Sequence, residues 1–98
     1  MAFHIEFSRR ARDNLKGLRK RDQQIVIDAV TVQLTHRPGH PTRQRKQLEE
    51  NDLAPWELRI GDLRVFYDIN PDKELVIVVA VGQKTHNILR IGGEEIEL

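Results

Sequence analysis

One stretch of the sequence, WELRIGDLRVFYDI at residues 56–69, constrains the fold more than any other. Apolar and polar residues alternate on both sides of Gly61-Asp62, a dipeptide that favours a tight turn between two strands. Folding at this turn pairs the apolar residues across the two strands: Ile60 with Leu63, Leu58 with Val65 and Trp56 with Tyr67. The stretch therefore predicts a β-hairpin with one apolar face, which has to pack against a second layer of the protein.

The opposite face of this hairpin carries an unfavourable arrangement, because Arg59 lies opposite Arg64 and like charges repel across a strand pair. A later strand places Lys84 and His86 just after Gly82, and both side chains point to this same face if the strand stays extended. Such a group of cations is stabilised by an anion lying across it, either a phosphodiester or the acidic side chains of a partner. We therefore expect this face to bind an anion.

The first third of the chain predicts one strand followed by two helices. Apolar and polar residues alternate over 3–7, which is typical of a half-buried strand. Ser8 is a favourable N-cap, and apolar residues at helical spacing after it predict a short helix. A second helix is predicted from about Asp22 to His36, because Pro38-Gly39 ends it.

The remainder of the chain predicts a loop and three strands. Residues 37–55 form a long polar loop before the hairpin, and residues 74–82 predict a central strand covered on both faces. The tail, 89–98, can form a short C-terminal hairpin around Gly92-Gly93. The predicted fold is α+β with the order β-α-α-β-β-β, in which an antiparallel sheet of about four strands carries two helices on one face. We expect residues 1–98 to form a single domain.

Composition excludes several classes of function. Cysteine is absent, so the chain has no disulfide, thiol nucleophile or cysteine-based zinc site. The histidines are dispersed, and His36 and His40 lie on either side of a Pro-Gly pair that interrupts the helix a two-histidine site needs. We expect neither a metal nor a cofactor. The longest apolar run, Leu75 to Val81, is too short to cross a bilayer and no signal peptide is visible, so we expect a cytoplasmic protein without membrane contact.

Positive charge is distributed unevenly along a chain whose formal net charge is only +1. One group of Lys and Arg residues lies within 9–21, a second lies within 37–46, and acidic residues concentrate in 94–97. Local basic surfaces on a nearly neutral chain are typical of proteins that hold a polyanion at one face. The alternative is that the group within 9–21 is an ordinary solvated helix surface, where most Lys and Arg residues occur.

The hairpin and the strand that follows it resemble the RelE/ParE toxins of bacterial type II toxin–antitoxin modules. The hallmark of these toxins is L-R-x-G-x-x-R-V-x-Y followed by a strand that ends V-G-x-[KR]. The matching residues are Leu58, Arg59, Gly61, Arg64, Val65 and Tyr67, then Val81, Gly82 and Lys84. The β-α-α unit at the start also fits in order and length, so the resemblance covers nearly the whole chain.

The resemblance implies alternative activities. RelE-type toxins enter the ribosomal A site and cut mRNA by attack of a 2′-hydroxyl on the adjacent phosphate, which needs no metal. ParE-type toxins share the fold and poison DNA gyrase. We expect a ribosome-dependent mRNA endoribonuclease that inhibits translation; the alternatives are a gyrase poison, or a degenerate toxin that acts only as an antitoxin-binding repressor module. The expected partners are a cognate antitoxin, the ribosome and mRNA, with operator DNA reached only through the antitoxin.

The resemblance also implies roles for individual residues. By family position, Arg64 is expected to bind the phosphate. Arg59 would assist it as a second guanidinium, and Lys84 would stabilise the pentavalent phosphorus of the transition state. His86 is a candidate general acid, because an imidazole exchanges protons near neutral pH. Glu57 is a candidate general base. The residues expected to bind RNA are Arg45, Lys46 and Arg90.

These candidate residues also have ordinary structural interpretations. Arg59 and Arg64 can pair with a nearby carboxylate, and the candidates are Glu57, Asp62 and Asp68. Lys84 can protect a strand edge from pairing, and His86 can be a solvated turn residue. For the general base, Glu49 and Glu50 in the preceding loop remain open alternatives.

Overall fold

The computed structural model describes residues 2–98, and its two helices and seven strands form an α+β fold, as the sequence predicts. In chain order the elements are β1 (His4–Phe7), α1 (Arg9–Lys16), α2 (Lys20–Leu34), β2 (Arg45–Gln47), β3 (Trp56–Ile60), β4 (Leu63–Asn70), β5 (Leu75–Thr85), β6 (Ile88–Ile91) and β7 (Glu94–Ile96). Neither of the helices described is long and apolar enough to cross a membrane.

The predicted cap of the first helix is present and also fixes the helix to the sheet. The backbone N–H of Ala11 donates to Ser8 Oγ at 3.0 Å, and this hydroxyl donates to the carbonyl of Val79 at 2.7 Å. Farther along α1, Asn14 Oδ1 accepts from the backbone N–H of Val81 at 3.0 Å. Both ends of α1 are therefore tied to β5.

The second helix is displaced from its predicted range. It occupies Lys20–Leu34 rather than about Asp22–His36, and Arg19 precedes it without a side-chain cap. Its C-terminal end docks on the start of the chain, where the backbone N–H of Phe3 donates to the carbonyl of Thr35 at 2.8 Å. The carbonyl of Thr35 thus bonds to another segment of the chain, at a position that the sequence pattern placed inside the helix.

The sheet contains seven strands among the residues described, not about four. Its order is β2-β3-β4-β5-β6-β7 with antiparallel neighbours, whereas β1 lies parallel beside β5. Two additions explain the difference. Residues 45–47 of the predicted loop pair with β3, and the C-terminal hairpin, which is present, pairs with the end of β5.

The central hairpin has the register predicted from its alternation. The apolar pairs across it are Trp56–Tyr67, Leu58–Val65 and Ile60–Leu63. In the turn, Gly61 has a φ of 57°, a left-handed conformation that glycine adopts without steric cost. The same register places Arg59 opposite Arg64 on the other face.

Buried apolar side chains form two cores, one on each face of the sheet. The helix-side core lies between the helices and the sheet, and its buried members are Ala11, Val26, Val30, Leu34, Trp56, Leu58, Leu63, Val65, Tyr67, Val76, Val78 and Val81. The far-side core is smaller and consists of Ala54, Phe66, Ala80, Leu89 and Ile91. The far face, which the sequence pattern leaves open, is thus partly covered by the loop at 48–55 and by the β6–β7 hairpin, which contribute apolar residues to it.

β5 changes the alternation of its side chains partway along its length. Its register with β4 shifts, so that Val79 is an extra residue between paired neighbours. Val78 before the shift and Val81 after it both lie in the helix-side core, whereas Ala80 lies in the far-side core. Lys84 shares the alternation of Ala80 and therefore belongs to the far face.

The end of β5 differs from the sequence expectation. The strand ends at Thr85, and His86 and Asn87 have φ values of 53° and 64°, which are typical of a two-residue hairpin turn. The expectation that Lys84 and His86 point the same way required an extended backbone through His86. That condition is not met, because the chain reverses there to begin β6, and His86 is exposed in the turn.

Candidate functional site

A cleft of about 540 Å³ lies on the far face of the sheet, between strands β2, β3 and β5 and the 48–55 loop. Its lining residues are Lys46, Gln47, Leu48, Glu49, Glu50, Asn51, Glu57, Arg59, Lys84 and Leu98. Four of the predicted site residues are among them, namely Lys46, Glu57, Arg59 and Lys84. The fold therefore gathers half of the predicted set from three different strands.

Strand pairing places these four residues in the cleft. Lys46 lies directly opposite Glu57 in the β2–β3 ladder, and Arg59 follows two residues later on the same face. Near the end of β5, the backbone N–H of Lys84 donates to the carbonyl of Asp62 at 2.7 Å. This bond joins the end of β5 to the β3–β4 turn. It therefore fixes the backbone of Lys84 relative to the strand that carries Arg59.

Charge in the cleft is only partly compensated. Arg59 Nε donates to Glu57 Oε1 at 3.0 Å, and the Glu57 side chain is 9% exposed against 44% for Arg59. A buried carboxylate is costly without a partner, and Arg59 supplies one. Among residues 2–98, the ion pairs closer than 4.0 Å involve neither Lys46 nor Lys84. Both ammonium groups are therefore available to an anionic ligand.

The two arginines that face each other across the hairpin avoid repulsion by taking different partners. Arg59 pairs with Glu57, whereas Arg64 Nη1 donates to the carbonyls of Gly61 and Leu63 at 2.6 and 2.9 Å. These bonds hold the Arg64 guanidinium against the β3–β4 turn, and it does not line the cleft. The structure brings Arg59, but not Arg64, together with the lysines of the cleft.

Two residues predicted to bind RNA lie on the other side of the sheet. Arg45 is opposite Leu58 of the helix-side core, and its guanidinium donates to the carbonyls of Gln33 at 2.7 Å and His40 at 2.9 Å. Arg90 alternates with the far-side core residues of β6 and pairs with a β7 carboxylate at 3.4 Å. Neither lines the cleft, so the predicted RNA-binding residues do not share one surface.

Sequence reasoning missed the residue that shapes the loop wall of the cleft. The side-chain amide of Asn51 donates to the carbonyls of Glu49 and Ala54 at 2.8 and 2.9 Å. Its oxygen accepts from the backbone N–H groups of Leu53 and Ala54 at 2.7 and 3.0 Å. The available signal was an Asn followed by Asp and a nearby Pro, because Asn side chains bond backbone groups two or three residues on.

The side chains in the cleft suit an anionic ligand. Within residues 2–98, no group of three or more His, Asp and Glu side chains is placed to hold a metal ion. The cleft offers two ammonium groups and a guanidinium that is held by a carboxylate. Ammonium and guanidinium groups bind phosphate through charge-assisted hydrogen bonds, and a carboxylate can accept a proton.

Comparisons with known proteins agree with the fold. The family model described as "ParE toxin of type II toxin-antitoxin system, parDE" matches residues 5–88. The toxin–antitoxin complex RelBE2 from Mycobacterium tuberculosis aligns with a TM-score of 0.75 at 23% identity, covering 86% of this chain and 93% of that chain. The archaeal RelE–RelB complex from Pyrococcus horikoshii aligns with a TM-score of 0.65 at 19% identity, covering 83% and 93%. No curated protein sequence gives a significant match.

Proposed function

This chain belongs to the RelE/ParE superfamily of type II toxin–antitoxin toxins, as its motif predicted, and from that premise we propose that it is an mRNA endoribonuclease acting on the ribosome. One observation supports this choice, namely the cleft that gathers Lys46, Arg59 and Lys84 beside the buried carboxylate of Glu57. Cutting RNA through its own 2′-hydroxyl requires charge stabilisation at phosphate and a proton acceptor, and these side chains supply both.

In the proposed reaction, the scissile phosphate lies between the ammonium groups of Lys46 and Lys84. The 2′-oxygen attacks the adjacent phosphorus while Glu57 accepts the 2′-hydroxyl proton, and the bond from phosphorus to the 5′-oxygen breaks. The products are a 2′,3′-cyclic phosphate and a 5′-hydroxyl, whose proton comes from one of the two ammonium groups. Arg59, already oriented by Glu57 at 3.0 Å, stabilises the additional negative charge on the phosphate.

This reaction uses fewer residues than were predicted from the sequence. Arg64 is bonded to two carbonyls of the β3–β4 turn, and His86 lies in the turn after β5. Neither residue lines the cleft. We therefore leave both out of the proposed reaction, and their predicted roles as phosphate clamp and general acid are tested separately.

We also infer that the toxin has a cognate antitoxin as its protein partner. The two solved structures named above are both complexes of a toxin with its antitoxin. An antitoxin segment with acidic side chains would complement the cations of the cleft and compete with RNA for them. In this arrangement, operator DNA is reached only through the antitoxin.

Poisoning of DNA gyrase is a second candidate function, favoured by the match of residues 5–88 to the ParE family model. A gyrase poison needs no acid–base pair at a phosphate. It would therefore retain its toxicity when Glu57 is replaced by Gln, whereas a nuclease that uses this carboxylate as its base would not.

Translation in a bacterial cell extract, followed by primer extension on the mRNA, tests the nuclease proposal. We expect codon-aligned cuts that require ribosomes. Lys84→Ala should reduce cutting by about 100-fold or more, since it removes charge stabilisation at the phosphate. Glu57→Gln should act similarly by removing the proton acceptor. Lys73→Ala, which changes an exposed lysine of the β4–β5 turn, is the matched control and should cut normally.

Three further variants assign the roles. Lys84→Arg keeps the positive charge but donates protons poorly, so it separates charge stabilisation from protonation of the leaving group. Cutting that persists in Arg64→Ala and His86→Ala would restrict the chemistry to the cleft. Intact mRNA together with unimpaired translation would reject the nuclease proposal, and gyrase-dependent DNA breaks in the same preparation would then establish the second candidate.

A further inference from the structure

The cleft contains two carboxylates that the proposed reaction does not use. Glu49 and Glu50 line it together with the two lysines, and both are exposed. Among residues 2–98, neither forms an ion pair closer than 4.0 Å. Carboxylates repel an RNA backbone, so a cleft that served only to hold phosphate would be weakened by them. Any contact that they make to a bound RNA is therefore to a part other than the phosphate.

The loop that carries the two carboxylates is anchored to the rest of the domain. The backbone N–H of Leu48 donates to the carbonyl of Pro55 at 2.8 Å, which closes the loop at its base. Asn51 bonds four backbone groups within it, and Leu48 and Leu53 pack against the far-side core. A loop held in this way loses little conformational freedom on binding, so its side chains can discriminate between ligands.

Carboxylates distinguish nucleobases by their amino groups. An ionised carboxylate only accepts hydrogen bonds. Cytosine presents the N4 amino group, which donates, at the place where uracil presents O4, which only accepts. Cytosine and uracil have nearly the same size, so a carboxylate at this place attracts one base and repels the other. Adenine and guanine carry amino groups as well.

We propose that Glu49 and Glu50 are specificity residues of the RNA site, selecting single-stranded RNA in which the base beside the bound phosphate carries an exocyclic amino group. The inference rests on the proposed RNA-binding function of the cleft. Cations on the sheet, Lys46 and Lys84, hold the backbone, while the carboxylates of the loop wall accept from the amino group. Uracil is disfavoured because it presents the acceptor O4 to the carboxylates where cytosine presents its amino group.

Binding of short 2′-O-methyl oligonucleotides, measured by fluorescence anisotropy at low salt and neutral pH, tests this inference without the ribosome. These probes lack the attacking 2′-hydroxyl and cannot be cut. Oligocytidine should bind about tenfold more tightly than oligouridine. In the Glu49→Gln/Glu50→Gln double variant, both probes should bind more tightly and the ratio should approach one, because Gln donates as well as accepts. Glu6→Gln, an exposed carboxylate on β1, is the matched control and should leave the ratio unchanged.

The outcomes separate this inference from the proposed function. Equal binding of the two probes by the wild type, abolished for both by Lys84→Ala, would reject base selection and leave RNA binding in the cleft standing. A preference for cytosine that survives the double variant would show that other residues make the choice. No binding of either probe would overturn this inference, whereas the proposed function would still be decided by the ribosome-dependent cutting assay.

Discussion

The two faces of the sheet are built differently, and the difference separates stability from the proposed function. Within residues 2–98, twelve buried residues pack between the sheet and both helices on the helix side, whereas five form the far-side core. On the far side, the 48–55 loop and the β6–β7 hairpin pack on the sheet, and a charged cleft stays open there. Burial of apolar surface is the main favourable term in folding. The helix side supplies most of it, so the far side can leave two lysines of the cleft unpaired.

The largest expected effect comes from truncating matched aliphatic residues on the two faces. Leu58 is fully buried in the helix-side core, whereas Ile96 is only partly buried against the far-side core. We expect Leu58→Ala to lower the free energy of unfolding by about 3 kcal/mol, because it leaves a cavity. Ile96→Ala should cost about 1 kcal/mol, because less apolar area is lost. Urea unfolding monitored by circular dichroism measures the free energy of unfolding of both variants. Equal losses would contradict the inference that the helix-side core supplies most of the stability.

A smaller effect is expected where the C-terminal hairpin meets β5. A Cβ added at Gly82 would lie 2.5 Å from the carbonyl oxygen of Arg90 and 2.7 Å from Ile91 Cγ1. Because one of these atoms belongs to the backbone, Gly82→Ala should shift β6 and cost about 2 kcal/mol. In Gly39→Ala the nearest atom is 3.4 Å away and belongs to a side chain, so this control should change stability little. Thermal unfolding of the two variants provides the comparison, and a Gly82 variant as stable as the wild type would show that the far-side cover is loosely packed.

The smallest effect tests the helix side through pH. The hydroxyl of Tyr67 donates to the carbonyl of Pro38 at 2.8 Å, and burial raises the pKa of Tyr67 above its ordinary value, with Arg45 partly opposing it. The unfolded chain loses this phenolic proton at about pH 10, whereas the folded chain retains it. The stability that this raised pKa contributes is therefore fully present below pH 10 and falls as the pH rises above it.

Tyr67→Phe removes both the hydrogen bond and the titrating group. We expect it to cost about 1 kcal/mol at neutral pH. Between pH 10 and 11, the variant should lose less stability than the wild type, and urea unfolding of both proteins at several pH values measures the difference. Parallel losses would mean that another group governs the alkaline behaviour of the domain.

Local patterns accounted for the order of elements and the register of the central hairpin. Alternation around Gly61 predicted the apolar pairs, and Ser8 predicted the start of α1. The two errors in the sheet have a common cause. The strand at 45–47 is three residues long and forms only by pairing with β3, and the C-terminal hairpin adds to the sheet only by pairing with β5. Neither partner can be identified from a local pattern, because strand pairing is a non-local interaction.

Half of the predicted site residues lie in the cleft, and the cause is again physical. Alternation correctly put Glu57, Arg59 and Lys84 on one face, because the period of a strand is fixed by its geometry. It did not show that Arg64 turns back to the carbonyls of its own turn, or that the chain reverses at His86. These details depend on which acceptors lie within reach of a long side chain and on where a hairpin closes.

By itself, the sequence determined the α+β class, the family, the central hairpin and the face that carries its arginines. It did so because strand alternation, helix capping and a glycine turn act over a few residues. Only the tertiary structure decided that the 48–55 loop and the C-terminal hairpin cover part of this face, and which cations remain unpaired in the cleft between them. Those outcomes depend on contacts between segments that are far apart in the chain. A pattern of a few neighbouring residues does not determine the energies of such contacts.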